Sequence, residues 1–563
     1  MKKIMIGLAK KRYSWWLALL LVGGLGLGFK TAGDYFEISK NMEIFGKLFT
    51  EVNTVYVDET NPTELMRTGI DAMLQNLDPY TNFYSESQIE ESKIMSTGQY
   101  SGIGAAIGLR RGKLMVLELY ENGPADQAGL RVGDELIGID QERFSQPALQ
   151  LEQARNLLLG EKGSQIMIRI KRANKSDESS LTITRGGTSV QQENVPFYGM
   201  ATDDIGYILL SGFMADAGRE VAEAAKKLKA DNPELKAYIL DLRGNPGGRL
   251  DQAVEVSNVF LPEGEFITEM KGRTRESKQK FYTLKAPVNT EIPLAVLVNS
   301  GSASASEIVS GSIQDLDRGV IIGQRSFGKG LVQNVLPLSY NTQMKVTIAR
   351  YFTPSGRCIQ AIDYSQRNAD GSVGRVADSL VKAFKTRNGR TVYDGGGVDP
   401  DLAVPLSPTP PIAKALNEQG LIFDFVTDFA QKNEEISSPR EFKISDALYQ
   451  EFVEYVSGRD FAFDTKTDQQ VKQFEKLLGK ADMAADMQEE VAALKERLVA
   501  EKNRDLTRHQ QAISKLLHRE IINRYYFKQG VLEASFVGDP VLLEAIEVLN
   551  DPPAYSATLS GKK

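Results

Sequence analysis

Two small-residue segments carry the residue types of an activated nucleophile: Asn299-Ser300-Gly301-Ser302-Ala303-Ser304-Ala305-Ser306-Glu307 and Ser326-Phe327-Gly328-Lys329-Gly330. The chain has only two histidines, His509 and His518, both in a charged helical stretch near the C-terminus, and one cysteine, Cys358. A Cys–His pair would therefore need that one thiol to reach across domains. A serine here is most economically activated by a lysine, a known variant of the histidine-based triad. An exposed lysine, with a pKa of about 10.4, stays protonated and cannot take a serine proton near neutrality. Desolvation among apolar groups disfavours the ammonium and lowers that value. Lys329 lies between glycines, after Val320-Ile321-Ile322 and before Leu331-Val332, flanks that suit a buried site or the edge of a sheet.

The elements that must position these groups are legible as well. Ile292 to Val298 reads as a buried strand, and Ser304 to Leu316 has helical spacing through Ile308, Val309, Ile313 and Leu316. A serine at such a strand-to-helix turn faces a helix N-terminus, whose N–H groups favour a developing oxyanion. By chemistry alone Ser302, Ser304 and Ser306 all qualify, and all three could instead serve as helix caps. A competing motif, Gly323-Gln324-Arg325-Ser326-Phe327-Gly328-Lys329-Gly330, approaches a phosphate-binding loop. It has Gly330 where a hydroxyl should hold magnesium, and Leu331 to Pro337 reads as a strand where a nucleotide site needs a helix.

A third segment, Asp241-Leu242-Arg243-Gly244-Asn245-Pro246-Gly247-Gly248, comes after the apolar strand Ala237 to Leu240, and its glycines let backbone N–H groups approach a ligand. Taken together, the motifs resemble the C-terminal processing peptidase family, also called tail-specific proteases, from about residue 40 to about residue 405. The family's Gly-Ser-Ala-Ser-Ala-Ser-Glu run matches Gly301 to Glu307, and its Phe-Gly-Lys-Gly segment with a subsequent Val-Gln matches Phe327 to Gln333. That resemblance implies Ser304 as nucleophile, Lys329 as general base, Gln333 as the group orienting the lysine, and Asp315 as an acidic position of structural importance. It implies an oxyanion hole from the N–H groups of Ala305 and of Gly247 or Gly248, with no metal or organic cofactor. Leu77-Asp78-Pro79-Tyr80-Thr81 is similar to a short N-terminal family motif in which histidine often stands where Tyr80 does. Tyr351 to Arg357 and Gly395 to Asp401 resemble later family segments, with Asp399 and Asp401 expected to cap a turn.

Upstream, Gly102-Ile103-Gly104-Ala105, the strand Leu114 to Leu119, Gly123-Pro124-Ala125 and Gly133-Asp134 resemble a PDZ domain of the protease-associated type. Such domains add an extended peptide to a sheet edge and hold its terminal carboxylate in backbone N–H groups. Gly102, Ile103, Gly104 and Ala105 form the expected cradle. The implied partners are protein substrates with exposed, unstructured, apolar C-terminal tails.

Lys2, Lys3, Lys10, Lys11 and Arg12 precede an apolar run, Trp15 to Phe29. As a helix it would span about 22 Å, short of the roughly 30 Å hydrocarbon core. It suits a signal-peptide core or a short anchor in the inner membrane, and the absence of a clean A-x-A site favours the anchor. The basic flank places the chain beyond Lys30 in the periplasm or on the extracytoplasmic face. At the other end, Pro408, Pro410 and Pro411 mark a break before long charged helical stretches, including Met483 to Leu506. These leave open a coiled-coil hairpin, a dimer contact giving a homo-oligomer, or a scaffold packed on the core. His509 and His518 are nine residues apart, not on one helical face, and are expected to be solvated. A net charge of −7 over 563 residues argues against nucleic acid as a partner.

The expected architecture is therefore a multidomain α/β chain. It has a targeting or anchor segment at 1–30, a helical segment at 31–96 and an inserted PDZ domain at 97–175. A peptidase core of the crotonase/Clp-like α/β type occupies 190–405, and a helical C-terminal extension 406–563. The expected activity is that of a serine endopeptidase. Its rivals are a noncatalytic envelope scaffold, against which Ser304, Lys329 and Gln333 together argue, and a small-molecule esterase or amidase, against which the PDZ unit argues.

Overall fold

A computed structural model describes residues 35–86, 88–89, 102–173, 175, 177–186, 193–367, 373–405, 408–459, 461, 463, 465–480 and 487–561. The expected anchor or signal segment at 1–30 lies outside the described residues. Among those described, no helix is long and apolar enough to cross a membrane. The chain divides into two units, residues 1–83 and 84–563.

In the first unit, residues 35–55 are helical and a second helix runs Pro62–Gln75. Asn61 caps that helix, its Oδ1 accepting from the N–H groups of Thr63 and Glu64. The Leu77–Thr81 motif is a turn built on Asp78, whose Oδ1 accepts from the N–H groups of Tyr80 and Thr81 at 2.9 Å each.

The second unit is organised around a six-stranded sheet in the order Leu402–Ala403, Val320–Gly323, Leu294–Val298, Ala237–Asp241, Ile205–Leu209 and Phe197–Met200. Its strands are parallel except the last, Phe197–Met200, which runs antiparallel to its neighbour. Every residue of Ala237–Asp241, Leu294–Val298 and Val320–Gly323 is buried. Such a parallel sheet must be covered on both faces, and the side chains alternate accordingly. Leu240, Leu294, Val296, Val298 and Ile321 point into a cluster with the helices Ala217–Asp231, Leu250–Phe260 and Ala305–Asp315. Ile239, Ala295, Leu297, Val320 and Ile322 point the other way, onto Phe536, Val541, Leu542, Ala545 and Leu549.

That second cover comes from the far end of the chain. The helices Pro540–Leu549 and Pro552–Ser560 lie on the sheet, and the Tyr555 hydroxyl accepts from the Leu294 N–H at 3.0 Å. Residues 536–560 of the extension thus pack on the core. Lys466–Lys480 and Gln488–Asn503 form a separate helical pair around Val471, Leu478 and Val491. The remaining helices gather around Ile412, Leu416, Phe425, Phe452 and Leu517.

The PDZ unit expected at 97–175 is an antiparallel sheet in the order Ala105–Arg110, Lys113–Leu119, Glu135–Ile139, Gln165–Lys171 and Glu178–Thr184, with the helix Pro147–Leu158 packed on it. Its last strand lies beyond the expected end, because it pairs along the whole of Gln165–Lys171. It docks on the extension. Arg524 Nη1 donates to the Val132 carbonyl at 2.7 Å, and Arg111 pairs with Asp424 at 2.8 Å. Phe527, at a φ of 53° inside the helix Gln510–Ser535, packs against the PDZ core.

His518 departs from the expected solvated state. Its Nε2 lies 2.9 Å from the Phe442 carbonyl and its ring stacks on Phe442, because the extension folds back on itself there. His509 is also half-buried, 3.8 Å from Asp505. The sheet's dependence on the C-terminal helices is testable. Leu542→Ala should cost about 2–5 kcal/mol in urea unfolding of the unit built on this sheet; an unchanged midpoint would mean that this face is not packed as described.

Candidate active site

The strands Ala237–Asp241 and Leu294–Val298 are parallel neighbours with Asp241 opposite Leu297. The loops that leave them must therefore lie side by side at the carboxyl edge of the sheet, where α/β proteins bind ligands. Side chains stitch the two loops together. Asn299 Oδ1 accepts from the N–H groups of Gly244 and Gly301, each at 2.9 Å. The Ser302 hydroxyl donates to the Leu242 carbonyl at 2.8 Å, and the Ser306 hydroxyl to the Asn245 carbonyl at 2.9 Å. Both serines are fully buried. Of the three candidates Ser304 alone is partly exposed, at the cap of the helix Ala305–Asp315 with φ 56° and ψ −111°. That conformation is costly for a residue with a Cβ, and backbone strain of this kind gathers at functional sites.

One buried carboxylate ties this turn to the lysine. Glu307 is completely buried. Its Oε2 accepts from the N–H groups of Ser304 and Lys329, both at 2.8 Å. Its Oε1 accepts from the Gly328 N–H at 2.7 Å and the Ser326 hydroxyl at 2.5 Å. Burial raises the Glu307 pKa above the usual carboxylate range, while these donors pull it down. On the carbonyl side the Tyr351 hydroxyl lies 3.0 Å from the Ser304 oxygen and also contacts the Lys329 oxygen. The two residues are thus held at both their N–H and C=O groups by shared partners. Gly328, at φ 90°, makes the approach possible, since a Cβ there would sit 2.3 Å from the Ala361 Cβ.

Sequence reasoning gives neither Glu307 nor Tyr351 a role. The signal for Glu307 is present as the spacing of a capping box, Ser304-x-x-Glu307. Tyr351 opens a segment that resembles the family, but nothing in that segment gives it this contact, which it makes from the strand Gln343–Phe352.

The other expected site residues fall in different places. Gln333 is on the strand Leu331–Pro337 just beyond the lysine, its Nε2 donating to Thr347 Oγ1 at 3.2 Å. The same strand replaces the helix that a phosphate-binding loop would need. Ala305 is the first helical residue, buried beside Ser304. Gly247, at φ 99°, abuts the turn so closely that a Cβ would lie 2.9 Å from the Ala305 nitrogen. Its own N–H, however, is donated to Asn245 Oδ1 at 2.9 Å, so of the two glycines named for the oxyanion hole Gly247 is already committed.

Asp315 is not brought into the site. It lies at the opposite end of the helix from Ser304, about 15 Å away along the axis. There it is fully buried, 2.8 Å from Arg357, and accepts from the Ser355 N–H at 3.0 Å. Asp401 likewise does more than cap a turn: it pairs with Arg390 at 2.6 Å and accepts the Ile321 N–H at 2.8 Å, while Asp399 pairs with Arg325. Burial pushes the Cys358 thiol above its ordinary pKa, which disfavours a thiolate. In the PDZ unit, the carbonyls of Gly102, Ile103 and Gly104 accept from Gly186, Ala125 and Tyr120 at 2.8–3.0 Å. Ala105 begins the end strand of that sheet.

The parallel sheet with its loop-borne Ser304 and Lys329, beside a PDZ-like sheet, is consistent with a peptidase, and comparison with known proteins shows a serine-type peptidase that carries a PDZ domain. Residues 204–366 match the family model for peptidase family S41, residues 115–172 a PDZ domain, and residues 412–549 the helical C-terminal domain of probable PDZ-proteases. The carboxy-terminal-processing protease of Bartonella bacilliformis is 34% identical over 325 residues, covering 57% of this chain and 73% of that protein. The carboxyl-terminal-processing protease of Synechocystis sp. is 30% identical over 371 residues, covering 61% of this chain and 84% of that protein. A solved structure of a photosystem II D1 C-terminal processing protease is 25% identical over 65% of this chain and 94% of its own, with a TM-score of 0.34. The chain belongs to the carboxy-terminal-processing protease family.

The Glu307 carboxylate gives a specific expectation. Glu307→Gln turns two acceptor positions into an N–H₂ group facing donors, so stability should fall by about 1–3 kcal/mol. Peptidase activity per folded molecule should fall by about tenfold or more as the loop geometry relaxes. Wild-type activity and melting temperature in that variant would remove Glu307 from the account.

Proposed function

We propose that this peptidase captures the exposed C-terminal tail of an unfolded protein on its PDZ domain and cuts the chain with a Ser304–Lys329 dyad. The observation that carries the reading is the pair of hydrogen bonds from the Ser304 and Lys329 N–H groups to one buried carboxylate. Ser304 is also the one candidate serine of the three that is not fully buried.

The tail would add to the end strand Ala105–Arg110, with its carboxylate at the Gly102–Ala105 turn. The Lys329 amine, in its neutral form, takes the Ser304 hydroxyl proton as the oxygen attacks the peptide carbonyl. The oxyanion rests on the N–H groups of Ala305, in the first turn of its helix, and of Gly248. The lysine ammonium then returns the proton to the departing amine, leaving an acyl-enzyme that water hydrolyses. Gln333 is assigned to orienting Lys329. Asp315 supports the far end of the nucleophile's helix through Arg357 and takes no part at the reacting atoms. The basic flank and apolar run before Lys30 support export to the cell envelope, with the catalytic unit on the extracytoplasmic side.

The test uses the full-length protein with an unfolded substrate ending in apolar residues, alongside its C-terminally amidated form. Cleavage should vanish in Ser304→Ala and in Lys329→Arg, since arginine cannot act as a base at any usable pH. It should weaken for the amidated tail. Wild-type turnover should rise with pH, because only the free amine accepts a proton. Turnover by Lys329→Arg would remove the lysine from the mechanism, and equal cleavage of the two tails would remove carboxylate capture.

A further inference from the structure

The loop 242–248, which supplies the glycine side of the site, is anchored from an unexpected direction. Arg243 stands two residues beyond the strand Ala237–Asp241, and Asp241 holds its guanidinium from below. Arg243 Nη2 lies 2.6 Å from Asp241 Oδ2, and its Nε 3.0 Å from both carboxylate oxygens. The Tyr207 hydroxyl donates to the same Asp241 Oδ2 at 2.6 Å. The remaining arm of the fork, Nη1, lies 2.6 Å from Oδ2 of Asp539, nearly three hundred residues away in the extension. Arg243 is 20% exposed and Asp539 13%, so this pair is largely withdrawn from solvent.

Asp539 is itself fixed. Its Oδ1 caps the helix Pro540–Leu549, accepting from the N–H groups of Val541 at 2.9 Å and Leu542 at 3.3 Å. Three residues earlier, Phe536 stacks edge-on against Tyr207 with ring centroids 4.9 Å apart. One carboxylate therefore has two separable tasks: Oδ1 starts the helix that covers the sheet, and Oδ2 reaches the loop beside Ser304. The cap alone would be served equally well by serine or asparagine. The reach to Arg243 needs a side chain longer than serine, and the ion pair at its end needs the charge of a carboxylate.

We infer that Asp539 is a positioning residue for peptide hydrolysis, through which the C-terminal extension sets the 242–248 loop and its N–H groups against the transition state. The inference rests on the proposed reading of that loop as part of the oxyanion hole. Its physical basis is the shape of the anchor: a guanidinium gripped on one side only can pivot, and the backbone at Arg243 pivots with it. The loop's bonds to Asn299, Ser302 and Ser306 keep it folded, so the loss falls on alignment. Small misplacement of transition-state donors is costly to rate while leaving substrate affinity intact.

The test compares full-length wild type with Asp539→Ser, which keeps the cap but falls short of Arg243, and with Asp539→Asn, which keeps cap and reach but drops the charge. The probes are the apolar-tailed substrate and a peptide boronic acid, which forms a tetrahedral adduct with a nucleophilic serine. In Asp539→Ser, kcat per folded molecule should fall about tenfold or more with KM unchanged. Boronate affinity should fall by a similar factor, and Asp539→Asn should lie between. Unchanged kcat and boronate affinity in both variants, with Ser304→Ala inactive in the same assay, would overturn the inference. So would losses that merely track the folded fraction. An active Ser304→Ala would instead overturn the reading of the site on which the inference stands.

Discussion

A carboxylate with no exposure to water, accepting from four donors, is the constraint around which this molecule is arranged. Burying a charge costs several kcal/mol unless its lone pairs are satisfied, and Glu307 satisfies them with groups from two separate loops. The donors are the N–H of Ser304, the N–H groups of Gly328 and Lys329, and the Ser326 hydroxyl. If either loop moves, donors are lost to a group that cannot reach water. Alignment of the Ser304 and Lys329 segments and burial energetics are therefore the same problem here, and Tyr351 repeats the arrangement on the carbonyl side.

The same coupling operates at longer range. A sheet whose central strands are parallel and buried needs a cover on each face, and this chain supplies one from the helices between its strands and the other from its last helices. Those last helices bring Phe536 and Asp539 to the ring of Tyr207 and the guanidinium of Arg243. The extension also carries Arg524 and Phe527, which hold the PDZ sheet. One helical region thus touches both the PDZ domain and the sheet that carries the Ser304 turn.

How much of this is legible in the sequence depends on distance along the chain. Leu294 to Val298 and Ala237 to Asp241 announce themselves as buried strands, because a strand covered on both faces is apolar at nearly every position. The family motifs around Ser304 and Lys329 are local and easily matched. Glu307 is half-legible: its spacing from Ser304 signals a helix start, but nothing nearby says that it also serves the loop of Lys329. Asp539, Phe536 and Tyr351 are illegible, since their partners are settled only when distant segments meet. The commitment of the Gly247 N–H to Asn245 is of the same kind, a hydrogen bond that composition cannot show. For Asp315 the sequence offers a family position without a partner, and Arg357, the group it holds, comes into view only when the helix is packed.

The central claim is that one carboxylate locks the Ser304 turn and the Lys329 loop as a single unit. Amide hydrogen exchange in segments 302–308 and 326–331 measures this most directly, in wild type and in Glu307→Gln under identical conditions. The account predicts matched, slow exchange of the two segments in wild type and a joint loss of protection in the variant, with the strand Ala237–Asp241 unaffected. Independent exchange rates in wild type, or loss of protection in one segment alone, would contradict it.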